Sequence, residues 1–329
     1  MALLLPASSN VGIGNGTVSK TIRFVFIIVA QNNEKNMQKL VHRIAFQNHR
    51  AWRILFVDNN SKDGTFSSFR KAVDAKQVDP EKVKSYRFTQ PHFTAASCRW
   101  FAFAKAGQQD MKIADNDVLV FLDGCDFLLE DDVLSKLAEV YQSDKVMMTY
   151  GRSTRHMDGI LDSSRQVFGT SKIPGSLEEI RSLPYVFSAL RTCRAKLLRD
   201  MPKSHIQLPF SFPEGTQREG NTSVTEKSFF LPIFSDWNEV FYAIDKISSP
   251  SSIVQMDIVA VAQPLDDGLS SVDPALRVAM AHWVRSNVSE HHPHFNDEEA
   301  RRLLQEKIDS LFSEEQLSTI HSFFETKSA

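Results

Sequence analysis

The feature that most constrains this chain is a nearly continuous apolar run over residues 22–30, which contains the stretch Phe-Val-Phe-Ile-Ile-Val-Ala. A strand whose residues are apolar without alternation has to be covered on both faces, as in a parallel sheet with helices packed above and below. The run is far too short to span a bilayer. A strand of this kind therefore predicts an interior strand of a layered α/β domain.

The following residues extend that prediction. Residues 36–48 carry Met37, Leu40, Val41, Ile44 and Ala45 at helical spacing, and residues 53–57 read as a second buried strand. The polar turn of residues 58–64 closes that strand. Residues 65–75 then read as a helix with Phe66, Phe69 and Val73 inward. A strand at 83–88, a helix at 95–106 and a strand at 118–122 follow. The next helix is expected to carry Glu130, Asp131 and Asp132 in its first turn, where acids suit the helix dipole, with Val133, Leu137, Val140 and Tyr141 inward. Strands alternating with helices in this way predict a mostly parallel sheet with ligands beyond the carboxyl ends of its strands.

Past residue 151 the pattern loosens. It suggests a short helix at 193–200, a Pro/Gly/Thr-rich loop at 202–227, a helix at 236–247 and a late strand at 253–262. Ala300, Leu303, Leu304, Ile308 and Leu311 share one helical face, and Ser313 with Gln316 is a capping-box pair. The division expected is a flexible leader at 1–20, a ligand-binding half at 21–151, a second half at 152–270 and a helical appendage at 271–329, which could serve an oligomer contact.

Charge and cysteine content narrow the partners. A formal net charge of -2 with no long basic run argues against nucleic acid held by bulk charge. Residues 1–6 are apolar but lack a charged flank and a full signal core. Three cysteines suit reduced thiols rather than a disulfide framework. Sequons stand at Asn15, Asn59, Asn221 and Asn287, and the one at Asn59 would place a glycan on the turn after the second strand. The expectation is a soluble, cytoplasmic protein with no integral membrane segment.

Three acids fall where chemistry is expected. Asp58 closes the second strand, Asp123 closes the fourth, and Asp236 opens a helix in the second half. A carboxylate at a strand's carboxyl end can accept hydrogen bonds from a base N–H or from ribose hydroxyls, and two together can hold a divalent cation through hard oxygens. Asp58 can equally be a turn former, since Asp and Asn favour such positions. No G-x-G-x-x-G follows the first strand and no G-x-x-x-x-G-K-[ST] occurs, so any nucleotide site has to be built from acids and other side chains. The histidines at 282, 291, 292 and 294 match no zinc spacing and read as a solvated loop.

Several motifs together carry a resemblance. Phe26-Ile-Ile-Val-Ala-Gln-Asn-Asn33 is followed by Arg53-Ile-Leu-Phe-Val-Asp-Asn-Asn-Ser-Lys-Asp-Gly-Thr65, then by Ala96-Ser-Cys-Arg99 and by Leu122-Asp-Gly-Cys-Asp-Phe-Leu128. This order resembles the family-2 glycosyltransferases with the GT-A fold, a Rossmann-like, mostly parallel sheet flanked by helices. Their corresponding elements read V-D-D-x-S-x-D-G-T, A-A-R-N and L-D-G-D-D-x-L. Ala189-Leu-Arg-Thr-Cys193 and Ser235-Asp-Trp237 are similar to later family elements.

The resemblance implies a nucleotide-sugar site made by Ala30, Asn32, Asp58, Asn60, Arg99, Asp123 and Gly124. Asp58 would meet the base, Asp123 the ribose or a metal, and Arg99 the base or diphosphate. It implies Asp236 as the base that deprotonates an acceptor hydroxyl, with inversion at the anomeric carbon. It also implies a divalent cation, Mn²⁺ or Mg²⁺, at Asp123, Cys125 and Asp126. The donor implied is a UDP-sugar, and the acceptor a glycan, lipid-linked sugar or protein. Cys125 departs from the family's D-x-D pattern, since thiolate is a soft ligand, and Ala189 stands where the family element has His. A catalytically degenerate relative acting as a binding or scaffold subunit is therefore the alternative. A nucleotidyltransferase, which also places acids at strand ends, is a third reading.

Overall fold

The computed structural model describes residues 20–88, 95–157, 160–161, 175–182, 189–201, 238–264 and 314. Residues 1–19 of the leader, the segment 202–237 (which holds Asp236 and Trp237), the histidine cluster and the appendage other than residue 314 lie outside the described residues.

The apolar runs form the strands they predict. β1 (Phe24–Ala30) is buried along its whole length and lies between β2 (Trp52–Asn59) and β4 (Val118–Asp123), parallel to both. β3 (Val83–Phe88) adds to the outside of β2, also parallel. The second half completes the sheet with β5 (Phe127–Leu128), β6 (Met148–Met157), β7 (Ile160–Leu161), β8 (Arg191–Arg194) and β9 (Ile253–Pro264). Among the described residues the order is β3-β2-β1-β4-β8-β6-β9-β5, with β7 paired to β6. The longest ladders are parallel, while β8 runs antiparallel to both its neighbours. β6 runs unbroken through residues 151 and 152, so the two halves expected from the sequence share one sheet.

The pleat sends alternate residues of β1 to opposite faces. Val25, Ile27 and Val29 pack under α3 (Ala95–Trp100), which continues as a π-helix over Phe101–Met111, and under α6 (Asn238–Asp245). Phe24, Phe26, Ile28 and Ala30 face α1 (Met37–Ala45), α2 (Thr65–Ala75) and α4 (Val133–Val140). A short α5 (Leu177–Ser182) adds Ile180 to the first of these layers.

Three local expectations are corrected. Residues 193–200 are not a helix: Arg191–Arg194 is β8, followed by a single 3₁₀ turn over Ala195–Leu197. The strand wins because the segment is clamped between β4 and β6, and tertiary context overrides local preference. Glu130, Asp131 and Asp132 precede α4 rather than forming its first turn, and Asp132 sits at the N-cap position without making a side-chain cap bond. That helix start is satisfied from a distance instead: Leu134 N–H donates to Gln47 Oε1 at 3.0 Å, while Gln47 Nε2 donates to the Glu130 carbonyl at 2.7 Å. The helix expected at 95–106 is α-helical only to Trp100, widens into the π-helix and ends on left-handed Lys112 (φ 49°).

Candidate active site at the carboxyl rim of the sheet

Two acids bracket the end of β1. Asp58 pairs in register with Ala30, and Asp123 with Val29. The one-residue stagger sends their side chains to opposite faces of the sheet, Asp58 toward the α1–α2 side and Asp123 toward α3 and α6.

Asp58 is completely buried. Its Oδ1 accepts the Ser61 N–H at 2.9 Å and a short bond from the Ser61 hydroxyl, which is the turn-forming role that Asp favours. Its Oδ2 lies 3.3 Å from Arg87 Nε, within ion-pair range but without hydrogen-bond alignment, and it has no hydrogen-bond partner among the described residues. One acceptor of the carboxylate is thus committed to the fold, and the other retains an unfilled lone pair. Arg87 stands opposite Asp58 in the β2–β3 register and also donates to the Ser61 carbonyl at 3.1 Å. Sequence reasoning passed over Arg87. The strand predicted at 83–88 contained the signal, because it places Arg87 at the same rim as Asp58.

The loops after β1 and β2 are laced together. Asn32 and Asn60 both adopt left-handed backbone conformations (φ 54° and 56°), which Asn tolerates better than most residues. Asn32 N–H donates to Ser61 Oγ at 3.0 Å, and Lys62 N–H donates back to Asn32 Oδ1 at 2.8 Å. Lys62 Nζ reaches Asn60 Oδ1 at 3.4 Å. Deeper in the turn, Asp63 accepts the Thr65 N–H at 3.0 Å, the Thr65 hydroxyl at 2.5 Å and the Glu34 N–H at 3.2 Å. Partial burial pushes the Asp63 pKa up, but these hydrogen bonds together outweigh it and hold the carboxyl below its ordinary value. Asn59 is buried in β2, which leaves no place for a glycan on its sequon.

On the other side, Gly124 N–H donates to the Val29 carbonyl at 2.8 Å, folding the Asp123–Asp126 turn over the end of β1. The Asp123 side chain is about half exposed at 49%. Arg99, from α3, places Nη1 3.6 Å from Asp123 Oδ1 and donates through Nε to Glu239 Oε1 at 2.6 Å. Glu239, in the first turn of α6, was also missed: its only sequence signal is a position three residues after Asp236.

Behind the turn, His156 of β6 is buried. Its Nε2 lies 3.0 Å from the Cys125 carbonyl, and its ring packs on Phe127 at 4.8 Å. The structure therefore gathers Ala30, Asn32, Asp58, Asn60, Asp123 and Gly124 at one rim, with Arg99 directly behind Asp123.

The three residues expected to hold a cation do not make a hard-oxygen site. Asp126 is buried, and the Cys125 thiol points to its Oδ1 at 3.7 Å. Asp123 is left as the one exposed carboxylate, next to a soft thiol. Among the described residues no group of three or more His, Cys, Asp and Glu side chains is arranged to hold a metal ion. All three cysteines are free thiols, with Cys98 and Cys193 buried. Among the described residues no helix is long and apolar enough to cross a membrane.

Solved structures share this fold. Staphylococcus aureus TarS in complex with UDP-GlcNAc matches with a TM-score of 0.50 at 14% identity, over 92% of this chain and 79% of that one. TarS in complex with UDP matches at TM-score 0.46 and 15% identity, over 88% of this chain and 71% of that one. The mannosyltransferase PcManGT of Pyrobaculum calidifontis, in complex with GDP-Man and Mn²⁺, matches at TM-score 0.42 and 10% identity, over 94% of this chain and 87% of that one. No curated protein sequence matches the chain. The family model for glycosyl transferase family 2 matches residues 25–201, more than half of the 329 residues, and takes in β1, β2, β4 and the turns that carry Asp58 and Asp123. The chain, with its mostly parallel GT-A sheet, belongs to glycosyl transferase family 2.

Proposed function

We propose that this chain is an inverting glycosyltransferase that moves a sugar from a nucleotide-diphosphate donor, with UDP favoured, to a hydroxyl of a glycan, lipid-linked sugar or protein. The observation that carries this reading is the pair of acids on either side of β1: Asp58 with a buried Oδ2 lacking a hydrogen-bond partner, and Asp123 half exposed at the rim. An unfilled lone pair in a dry site is a strong acceptor for a base N–H, because leaving it unpaired costs about 1–3 kcal/mol. Asp123, in contact with water, suits ribose hydroxyls. TarS, which carries UDP-GlcNAc in its complex, supports the UDP preference through the fold it shares with this chain.

In the transfer step Asp236 takes the acceptor proton as its oxygen bonds to the anomeric carbon, and the bond to the nucleotide diphosphate breaks on the opposite side. Arg99 and Lys62 supply positive charge near the donor turns. No step is assigned to a metal, because Cys125 and the buried Asp126 do not fit a hard cation. The same two residues favour the second reading, a relative that binds donor without turning it over.

A thermal-shift and donor-hydrolysis screen of UDP-, GDP- and dTDP-sugars, each with Mn²⁺, Mg²⁺ or chelator, tests the proposal. A stabilising shift with sugar release identifies the donor and supports the enzyme. Binding without release in any condition moves the assignment to the non-catalytic relative. Absence of any shift removes the donor assignment altogether. Asp236→Asn is expected to abolish transfer and leave donor binding intact, and normal turnover by that variant would refute the base assignment.

A further inference from the structure

Glu239 is a buried carboxylate that the donor site as described does not use. Its Oε1 holds Arg99 Nε at 2.6 Å, and its Oε2 is buried with no hydrogen-bond partner among the described residues. The Arg99 guanidinium is planar and rigid, so fixing Nε fixes the direction of its other nitrogens. Nη1 then faces Asp123 Oδ1 but stays 3.6 Å away, longer than a charge-assisted hydrogen bond. The environments are graded as well: the Arg99 and Glu239 side chains are 6% and 4% exposed, and that of Asp123 is 49% exposed. Of these two described carboxylates, the dry one holds the buried cation by the short bond.

A buried guanidinium deprived of one carboxylate partner leans on those that remain, because an under-compensated buried charge is destabilising. Asp123 stands next in line. Closing onto Arg99 would draw the Asp123 carboxylate down from the rim and occupy the oxygens that face the donor side.

We propose that Glu239 is a positioning residue that acts through Arg99: by holding Nε it keeps the guanidinium from closing onto Asp123, and so keeps the Asp123 carboxylate available at the rim. The assignment deepens the donor-site reading above and rests on it for the identity of what Asp123 binds. The contest for Arg99 itself can be tested without any ligand.

The first measurement is a double-mutant cycle on stability by urea denaturation, using Glu239→Gln and Asp123→Asn singly and together. If Glu239 and Asp123 compete for Arg99, Asp123→Asn changes the unfolding constant little in the parent. In the Glu239→Gln background, where Asp123 is the carboxylate still described beside Arg99, it raises that constant about tenfold. Additive effects overturn the proposal. The second measurement is UDP affinity by calorimetry: Glu239→Gln is expected to weaken UDP about tenfold, and Glu239→Asp, which keeps the carboxylate, to stay within about threefold of the parent. Unchanged UDP affinity in Glu239→Gln, or equal losses in the Gln and Asp variants, overturns the positioning role. A non-additive cycle in a parent chain that fails to bind UDP sustains the contest for Arg99 and sinks the donor reading, so the two failures are separable. If Glu239→Gln does not fold, the double variant Arg99→Met with Glu239→Leu, which removes both charges at similar volume, is expected to fold. In that variant Asp123→Asn should again have little effect on stability, and a large effect overturns the proposal.

Discussion

Gly124 lies against Ala30 with no room for a side chain between them: a Cβ added to Gly124 would stand 2.4 Å from the Ala30 Cβ and 2.9 Å from its Cα. Part of the obstacle is backbone, so no rotamer change relieves it. The Asp123 turn is pressed onto the end of β1 by this contact and held there by the bond from Gly124 N–H to the Val29 carbonyl. The expected result of Gly124→Ala is a loss of about 1–3 kcal/mol, the usual cost of overpacking, together with weakened UDP binding as Asp123 is displaced. Urea denaturation and calorimetry on the same sample check both; unchanged UDP affinity would show that the turn can move without consequence for the donor.

Asp63 gives the β2–α2 turn a defined pH response. Burial pushes its folded carboxyl up, but the bonds from Thr65 and Glu34 together outweigh burial and hold it below the ordinary value of about 3.9. A depressed folded pKa means the contribution is complete above the unfolded pKa and is lost as pH falls through the folded one. Stability of the parent should therefore fall as the pH drops below about 4, and Asp63→Asn should be less stable at neutral pH with a shallower acid limb. Melting temperatures across pH 2 to 7 for the two proteins make the comparison, and parallel curves would remove Asp63 from the account.

Arg194 is fully buried in β8 and donates to four carbonyls: Val146 at 3.0 Å, Asn116 at 3.1 Å, Tyr141 at 2.8 Å and Ser143 at 3.2 Å. It ties the end of α4 to the sheet beside the buried hydroxyls of Tyr141, Thr192 and Thr149. Arg194→Met keeps the bulk and strands those carbonyls, so a loss of about 3–5 kcal/mol is expected. Arg194→Lys cannot reproduce the fork and should recover only part of it. A methionine variant as stable as the parent in denaturation would contradict this.

The three thiols should react very differently. Burial, and then the nearby Glu239 carboxylate, push the Cys193 thiol well above its usual range, and Cys98 is buried too, while Cys125 is partly exposed in the turn after β4. In the folded protein a small alkylating reagent at pH 8 should label Cys125 and spare Cys98 and Cys193 until denaturant is added, as read by peptide mass. UDP is expected to slow that labelling. Equal labelling of all three thiols would show that the sheet opens readily.

Much of the site could be read along the chain because its parts are local. Asp58-Asn59-Asn60-Ser61 makes its turn from its own neighbours, and Asp123-Gly124-Cys125-Asp126 follows directly on a buried strand. The helix at residues 65–75 and the strand at 83–88 also appear with the bounds their apolar periodicity gave. The contribution of Gln47 to the start of α4, the pairing of Arg99 with Glu239 and the strand at residues 191–194 were not legible. Each depends on partners that leave no local period, such as Gln47 with Leu134 or Arg99 with Glu239.

The sequence by itself determined the parallel core and the placing of two acids at strand ends, because strands covered on both faces need unbroken apolar runs and their polar closures stand out against them. Only the tertiary structure decided how those acids are used. It buried Asp58 beside Arg87, left Asp123 half in water next to Arg99, and set Glu239 from a distant helix against that same Arg99. Burial and charge pairing are properties of the assembled layers, and the residues that create them lie from about twenty-five to well over a hundred positions apart in the chain.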